Sequence, residues 1–151
     1  MFLVVDANVI FSALISRGKT FRIFSVNSII NFFDLVAPEF LKEELKEHKD
    51  EVIKKSKLSA SDVEKLFQLI EKEIQFVSSS EFLDFLEHAK KISPADDFPY
   101  VALALKIKSL GVKVAIWSND KELKKCLKDV VDIFSTNEVF SILFDKNNKF
   151  R

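Results

Sequence analysis

Two apolar runs in this chain each stop at an aspartate: Phe2-Leu3-Val4-Val5 meets Asp6-Ala7-Asn8, and Val112 to Trp117 meets Ser118-Asn119-Asp120. Short runs with almost no polar interruption read as strands covered on both faces, which points to a parallel sheet with helices on either side. Ligands of such sheets collect beyond the carboxyl ends of the strands. Acids from opposite ends of the sequence are therefore expected at one rim, as a carboxylate site.

A chain of 151 residues and 17.4 kDa buries roughly two thirds of its unfolded surface in one core. One domain is expected over residues 1–144, followed by a polar tail at 145–151. Sixteen Phe and a 48% hydrophobic content supply a core and a subunit interface, and two Gly and three Pro leave few breakers between elements. The lone Cys126 excludes an internal disulfide and fits a reducing cytoplasm. No apolar stretch approaches the roughly 18 residues of a membrane span, and Met1 leads straight into a strand, so a soluble, unexported, cytoplasmic protein is expected. Basic and acidic residues balance at 23 each, so no global field draws the chain to nucleic acid or a membrane. A polyanion would have to be held by local lysine clusters or by metal ions.

Periodicity predicts alternating strands and helices. Strand Phe2–Val5 leads into a short helix through Ile15, a polar turn at Ser16-Arg17-Gly18-Lys19, and a helix from Thr20 to about Asn31. A strand at Phe33–Ala37 precedes a long helix from Pro38 to about Lys57. A helix from Ser61 to Ile74 follows, opened by a capping box of Ser61 and Glu64, with Val63, Leu66, Phe67, Ile70 and Ile74 on one face. Ser80 is expected to cap a helix with Phe82, Phe85, Leu86 and Ala89 inward. A loop at Ile92–Ala95 opens a very apolar helix from Asp96 to Leu110, ended by Gly111. Strand Val112–Trp117, helix Asn119–Lys128, strand Val130–Phe134 and helix Thr136–Phe144 complete an α/β, three-layer arrangement with a mainly parallel sheet.

Further acids stand out against this pattern. In the helix from Pro38, Leu41, Leu45, His48 and Val52 form one stripe, and Glu44 lies inside it, while Glu43 and Glu47 fall on the wet face. A glutamate on an apolar stripe is costly to bury unless paired or bound to a metal; the alternative is a stripe-edge residue that snorkels to water. In Ser93-Pro94-Ala95-Asp96-Asp97-Phe98-Pro99, either Asp96 or Ser93 can cap the next helix. Two adjacent acids exceed what one cap requires, and periodicity does not choose between Asp96 and Asp97 for a second role.

Taken together, Asp6-Ala7-Asn8 after the first strand, Glu44-Leu45, Asp97 followed by Phe-Pro-Tyr-Val-Ala-Leu-Ala, and Trp117-Ser118-Asn119-Asp120-Lys121 resemble, in order and spacing, the four acidic motifs of the PIN-domain family. The resemblance covers about residues 1 to 144. It implies a parallel sheet flanked by helices whose acids bind Mg2+ or Mn2+ and cleave single-stranded RNA. Asp6, Glu44, Asp97 and Asp120 would be the metal-site and catalytic acids, with Asn8, Ser118 and Asp96 in supporting places. The motif alignment favours Asp97 over Asp96 as the ligand. Asn119-Asp120 departs from the Gly-Asp or Ser-Asp of many relatives but leaves the acid in place. The resemblance further implies homodimers and, for toxins of toxin–antitoxin pairs, an antitoxin partner that blocks the pocket.

Carboxylate oxygens are hard ligands suited to these ions, and carboxylates crowded without metal should repel and hold their protons more tightly. His48, one turn beyond Glu44, lacks a third soft ligand and reads as a half-buried structural residue; His88 reads as surface, Cys126 and Trp117 as core. Tyr100, in the first turn after Asp97, is better placed than Trp117 to reach a substrate. Lys121, Lys124, Lys125 and Lys128 after the fourth acid, and Arg17, Lys19 and Arg22 after the first, could hold RNA phosphates. Rival classes fit less well. A haloacid-dehalogenase-like phosphatase needs a second acid where Asn8 stands, and a response-regulator receiver needs neither Glu44 nor Asp97. A dinucleotide fold needs a glycine-rich turn that two isolated glycines cannot form. A non-catalytic PIN-fold interaction module has no need of all four acids.

Overall fold

The computed structural model describes residues 1–15 and 18–145. Ser16 and Arg17 of the turn expected at Ser16-Arg17-Gly18-Lys19, with Arg17 as an RNA-holding cation, and the tail beyond Asp145 lie outside the described residues. Strands β1 (Phe2–Val5), β2 (Asp34–Pro38), β3 (Gln75–Val77), β4 (Val114–Trp117) and β5 (Asp132–Phe134) form one five-stranded sheet in the order β3-β2-β1-β4-β5. All pairs are parallel.

Successive residues of a strand point to opposite faces, and here both faces are covered. Leu3, Val5, Leu35, Ala37, Ala115 and Trp117 pack against α1 (Ala7–Ile15), α2 (Lys19–Ile30), α3 (Phe40–Glu47), α4 (Lys49–Lys55), α5 (Ala60–Glu73) and α9 (Thr136–Phe144). Val4, Val36, Val114 and Ile116 pack against α6 (Leu86–Ile92), α7 (Phe98–Ser109) and α8 (Lys121–Cys126). The apolar run in α7 has its reason here: Tyr100 through Leu105 are all buried between the sheet and its neighbours. The result is the three-layer, mainly parallel α/β fold expected from the sequence.

Several elements differ from expectation. The long helix from Pro38 is two helices broken at His48, whose backbone has φ −95° and ψ 5°. One straight rod could not do both jobs, since α3 packs on β2 while α4 packs on α1 and α5. Leu41, Leu45 and Val52 stay buried, but His48 turns outward and is exposed, its ring edge-on to Phe11 at 5.6 Å and its Nδ1 3.2 Å from Glu51.

At α5 the cap is Ser59, whose Oγ accepts from the Asp62 amide, so the Ser61–Glu64 capping box does not form. Glu64 pairs instead with Lys49. A capping box does form at α9 between Ser135 and Glu138. The edge strand β3 follows α5 with no breaker, and the region after Ser80 is two 3-10 turns, Ser79–Glu81 and Leu83–Phe85, before α6 begins. Cys126, expected in the core, is exposed at the end of α8. The helix stop at Gly111 is as read: its φ of 78° is left-handed, which glycine adopts without strain. No helix among the described residues is long and apolar enough to cross a membrane.

Candidate acidic site

The chain runs β1, β2, β3 outward in one direction and then returns to lay β4 on the other side of β1, so β1 and β4 flank the point where strand order reverses. Crevices for ligands open at the carboxyl ends of such a pair. Val5 is in register with Trp117, and the Asp6 amide donates to the Trp117 carbonyl at 3.1 Å. The loops Asp6-Ala7-Asn8 and Ser118-Asn119-Asp120 therefore leave the sheet side by side.

Asp6 is only 6% exposed and Ser118 only 2%. The Ser118 hydroxyl donates to Asp6 Oδ2 at 2.8 Å and accepts from the Asp120 amide at 3.1 Å, which ties the two acidic loops together. Burial raises the Asp6 carboxyl above its ordinary range; the Ser118 hydroxyl and the Asn8 and Ala7 amides oppose this, and the Asp120 charge adds to it. Asn8 thus approaches Asp6 through its backbone, while its side chain is exposed. Asp120 caps α8, its Oδ1 accepting from the Glu122 and Leu123 amides at 2.9 and 3.3 Å. Both contacts use one oxygen, and Oδ2 has no part in the cap.

Asn119 has its own task. Its Oδ1 accepts from the Thr136 amide at 2.8 Å and its Nδ2 donates to Thr136 Oγ1 at 2.9 Å, where Trp117 Nε1 also donates at 3.1 Å. A glycine or serine could not make this two-way clamp between the β4 loop and the start of α9, so the departure at Asn119 has a structural reason.

Asp97 enters from the 3-10 turn Ala95–Asp97 that precedes α7. It occupies the N-cap position but makes no side-chain cap bond, and neither does Asp96 serve as the expected cap. Ser93, the other candidate cap, has a buried hydroxyl with no hydrogen-bond partner among the described residues. Burial, then the charges of Asp6, Asp120 and Asp96, push the Asp97 carboxyl up to about 6. Glu44 is half-buried on α3, and its carboxyl is raised by burial and by Glu47, Asp6 and Asp96, with nearby His48 partly offsetting them. Asp96 itself is exposed.

The Asp6 and Asp96 charges thus bear on both Glu44 and Asp97, and the Asp120 charge on Asp6 and Asp97, although these acids come from four separate stretches of chain. Among the described residues, however, no three His, Cys, Asp or Glu side chains are gathered closely enough to hold a metal ion. The donor chemistry suits a hard divalent cation, and the mutual repulsion is what such a cation would relieve; the side chains would have to close in on it. Tyr100, expected to be better placed than Trp117 to reach a substrate, is instead 4% exposed on the floor of this region.

The PIN-domain family model matches residues 4–145. The chain belongs to the PIN-domain family. Its match runs from within β1 through α9 and takes in all the acidic stretches described above. Among curated proteins none matches at a significant level. PIN domains are generally nucleases, and this PIN domain has the nuclease-type fold. Two features of its rim were not foreseen from the sequence: the Thr136 clamp and the buried Tyr100 hydroxyl. A threonine next to a capping serine, and a lone tyrosine in an apolar helix, carry no local signal of either.

Proposed function

We propose that this PIN domain is a Mg2+- or Mn2+-dependent endoribonuclease that hydrolyses phosphodiester bonds in single-stranded RNA. The observation that carries the reading is that the loops bearing Asp6 and Asp120 leave β1 and β4 side by side, tied through Ser118, with the Asp6 charge bearing on both Asp97 and Glu44. In this reading all four hold the cation. Bound there, a divalent ion supplies a water nucleophile of lowered pKa and stabilises charge on the phosphoryl oxygens. Ser118 keeps Asp6 oriented through its 2.8 Å hydrogen bond. Asp120 offers Oδ2 while Oδ1 stays committed to the α8 cap.

RNA would be held locally, because the chain has no net charge. Lys121 is exposed directly after Asp120, whereas Lys124 is engaged by Glu138 at 2.7 Å, and Lys19 and Arg22 lie over the Phe140 ring on α9. The reading extends to a cytoplasmic toxin of a toxin–antitoxin pair, acting as a homodimer and silenced by an antitoxin over the acidic rim. A non-catalytic PIN-fold module is the alternative.

Incubation of the purified chain with single-stranded RNA decides between them. Cleavage is expected with Mg2+ or Mn2+, is expected to vanish with a chelator and to return with excess Mn2+. Cleavage that survives chelation, or none with either ion, contradicts the proposal.

A further inference from the structure

Tyr100 is the only tyrosine in a chain with sixteen phenylalanines. Its ring packs at 5.6 Å and 65° against Phe40, the first residue of α3. Phe40 lies one turn before Glu44 on the same face of that helix, so this contact seats the Glu44 face of α3 against the first turn of α7. Phenylalanine would fill the ring's place equally well. The hydroxyl is what needs explaining: it is buried and has no hydrogen-bond partner among the described residues. Leaving such a group unsatisfied destabilises the fold. The Ala7 amide faces it without reaching hydrogen-bond geometry; burial first, and then the charges of Glu44, Asp6 and Asp97, oppose its ionisation.

A neutral phenol among carboxylates has one thing to offer, its proton as a donor. We propose that the Tyr100 hydroxyl is a positioning donor for the Glu44 carboxylate, fixing it in the ligating position when a divalent cation enters the acidic site. The inference rests on the metal-dependent reading given under the proposed function. It explains why a long, half-exposed side chain on α3 can serve a site built otherwise on short aspartates, and why an orphaned hydroxyl is kept on a buried face. Partners outside the ligand shell that orient a metal ligand are worth about 10–100-fold in metal affinity.

Because the chain has a single tyrosine, the Raman tyrosine doublet reports this hydroxyl alone. The doublet is expected to shift from a non-donor to a donor signature when Mn2+ alone is added to saturation, and to stay at its metal-free position in Glu44→Gln at the same Mn2+ concentration. Tyr100→Phe is expected to bind Mn2+ about 10–100-fold more weakly by calorimetry, with a metal-free Tm equal to or above that of the native chain. An unchanged doublet at saturating Mn2+, a shift that survives in Glu44→Gln, or a Tyr100→Phe variant with native Mn2+ affinity would overturn the assignment. A lower metal-free Tm with unaltered affinity would make Tyr100 structural only, which also overturns it. If the native chain binds no Mn2+ at all, the metal-dependent reading fails and this inference with it, an outcome distinct from failure of the tyrosine alone.

Discussion

Asp6→Asn is expected to lower metal-dependent RNA cleavage by about 100-fold or more while the fold stands. An asparagine Oδ1 can still accept the Ser118 hydroxyl that Asp6 Oδ2 now accepts at 2.8 Å, so the tie between the β1 and β4 loops is retained. What disappears is the negative charge at the most buried of the acids. Burial is the largest influence on that carboxyl and disfavours its ionised form, so a neutral side chain leaves metal-free stability unchanged or raised. Cleavage assays beside thermal unfolding measure the two properties on one preparation. A fully active Asp6→Asn would place the chemistry elsewhere.

Asp97→Asn is expected to abolish cleavage just as severely, and to change how stability responds to pH. With a folded-state value of about 6 against the ordinary 3.8, Asp97 keeps its proton in the native chain at pH values where the unfolded chain has released it. The native state therefore binds more protons between pH 3.8 and about 6, so stability falls as pH rises through that window and is level above it. Asparagine removes this slope. At pH 7 the variant should gain about 1 kcal/mol of metal-free stability, a figure reduced for screening because the side chain is partly exposed. Its neighbour should behave differently. Asp96 is exposed and provides no helix cap, so Asp96→Ala should shift stability by no more than about 0.5 kcal/mol, less than a cap residue would cost, and leave cleavage largely intact. Denaturant unfolding across pH 4–8, beside an RNA cleavage assay, reads both variants. A steeper slope in Asp97→Asn, or a dead but stable Asp96→Ala, would move the ligand to Asp96.

The layout of this fold was legible where local pattern and tertiary packing demand the same thing. β1 and β4 are buried on both faces, so their apolar runs announce them, and the acids that close them end up side by side because parallel strands deliver their loops to one edge. The stretch Tyr100 to Leu105 of α7 is likewise apolar and buried on every side, so nothing polar disguises it. Legibility failed where distant partners decide. β3 is three residues on a sheet edge with no breaker before it, and only pairing with β2 makes it a strand. The break at His48 answers to the different partners of α3 and α4, which a helical stripe cannot encode. The α5 cap moved from Ser61 to Ser59 because either serine offers a competent hydroxyl. Cys126 looked like core by residue type, yet the short α8 turns it to water. Around the site, the aspartates at strand ends could be placed from sequence, and Glu44 could be singled out by its stripe. The burial of Tyr100 and the double use of Asn119 depend on α3 and α9, far away in the chain.

Diffraction at the manganese absorption edge, from crystals grown in Mn2+, tests most directly whether a divalent cation sits among Asp6, Glu44, Asp97 and Asp120. The expected result is an anomalous peak at the carboxyl ends of β1 and β4, roughly 2.0–2.3 Å from oxygens of Asp6 and of at least one other of these acids, which have closed in from their metal-free positions. No peak at that rim under saturating Mn2+, or a peak held by other residues, would contradict it.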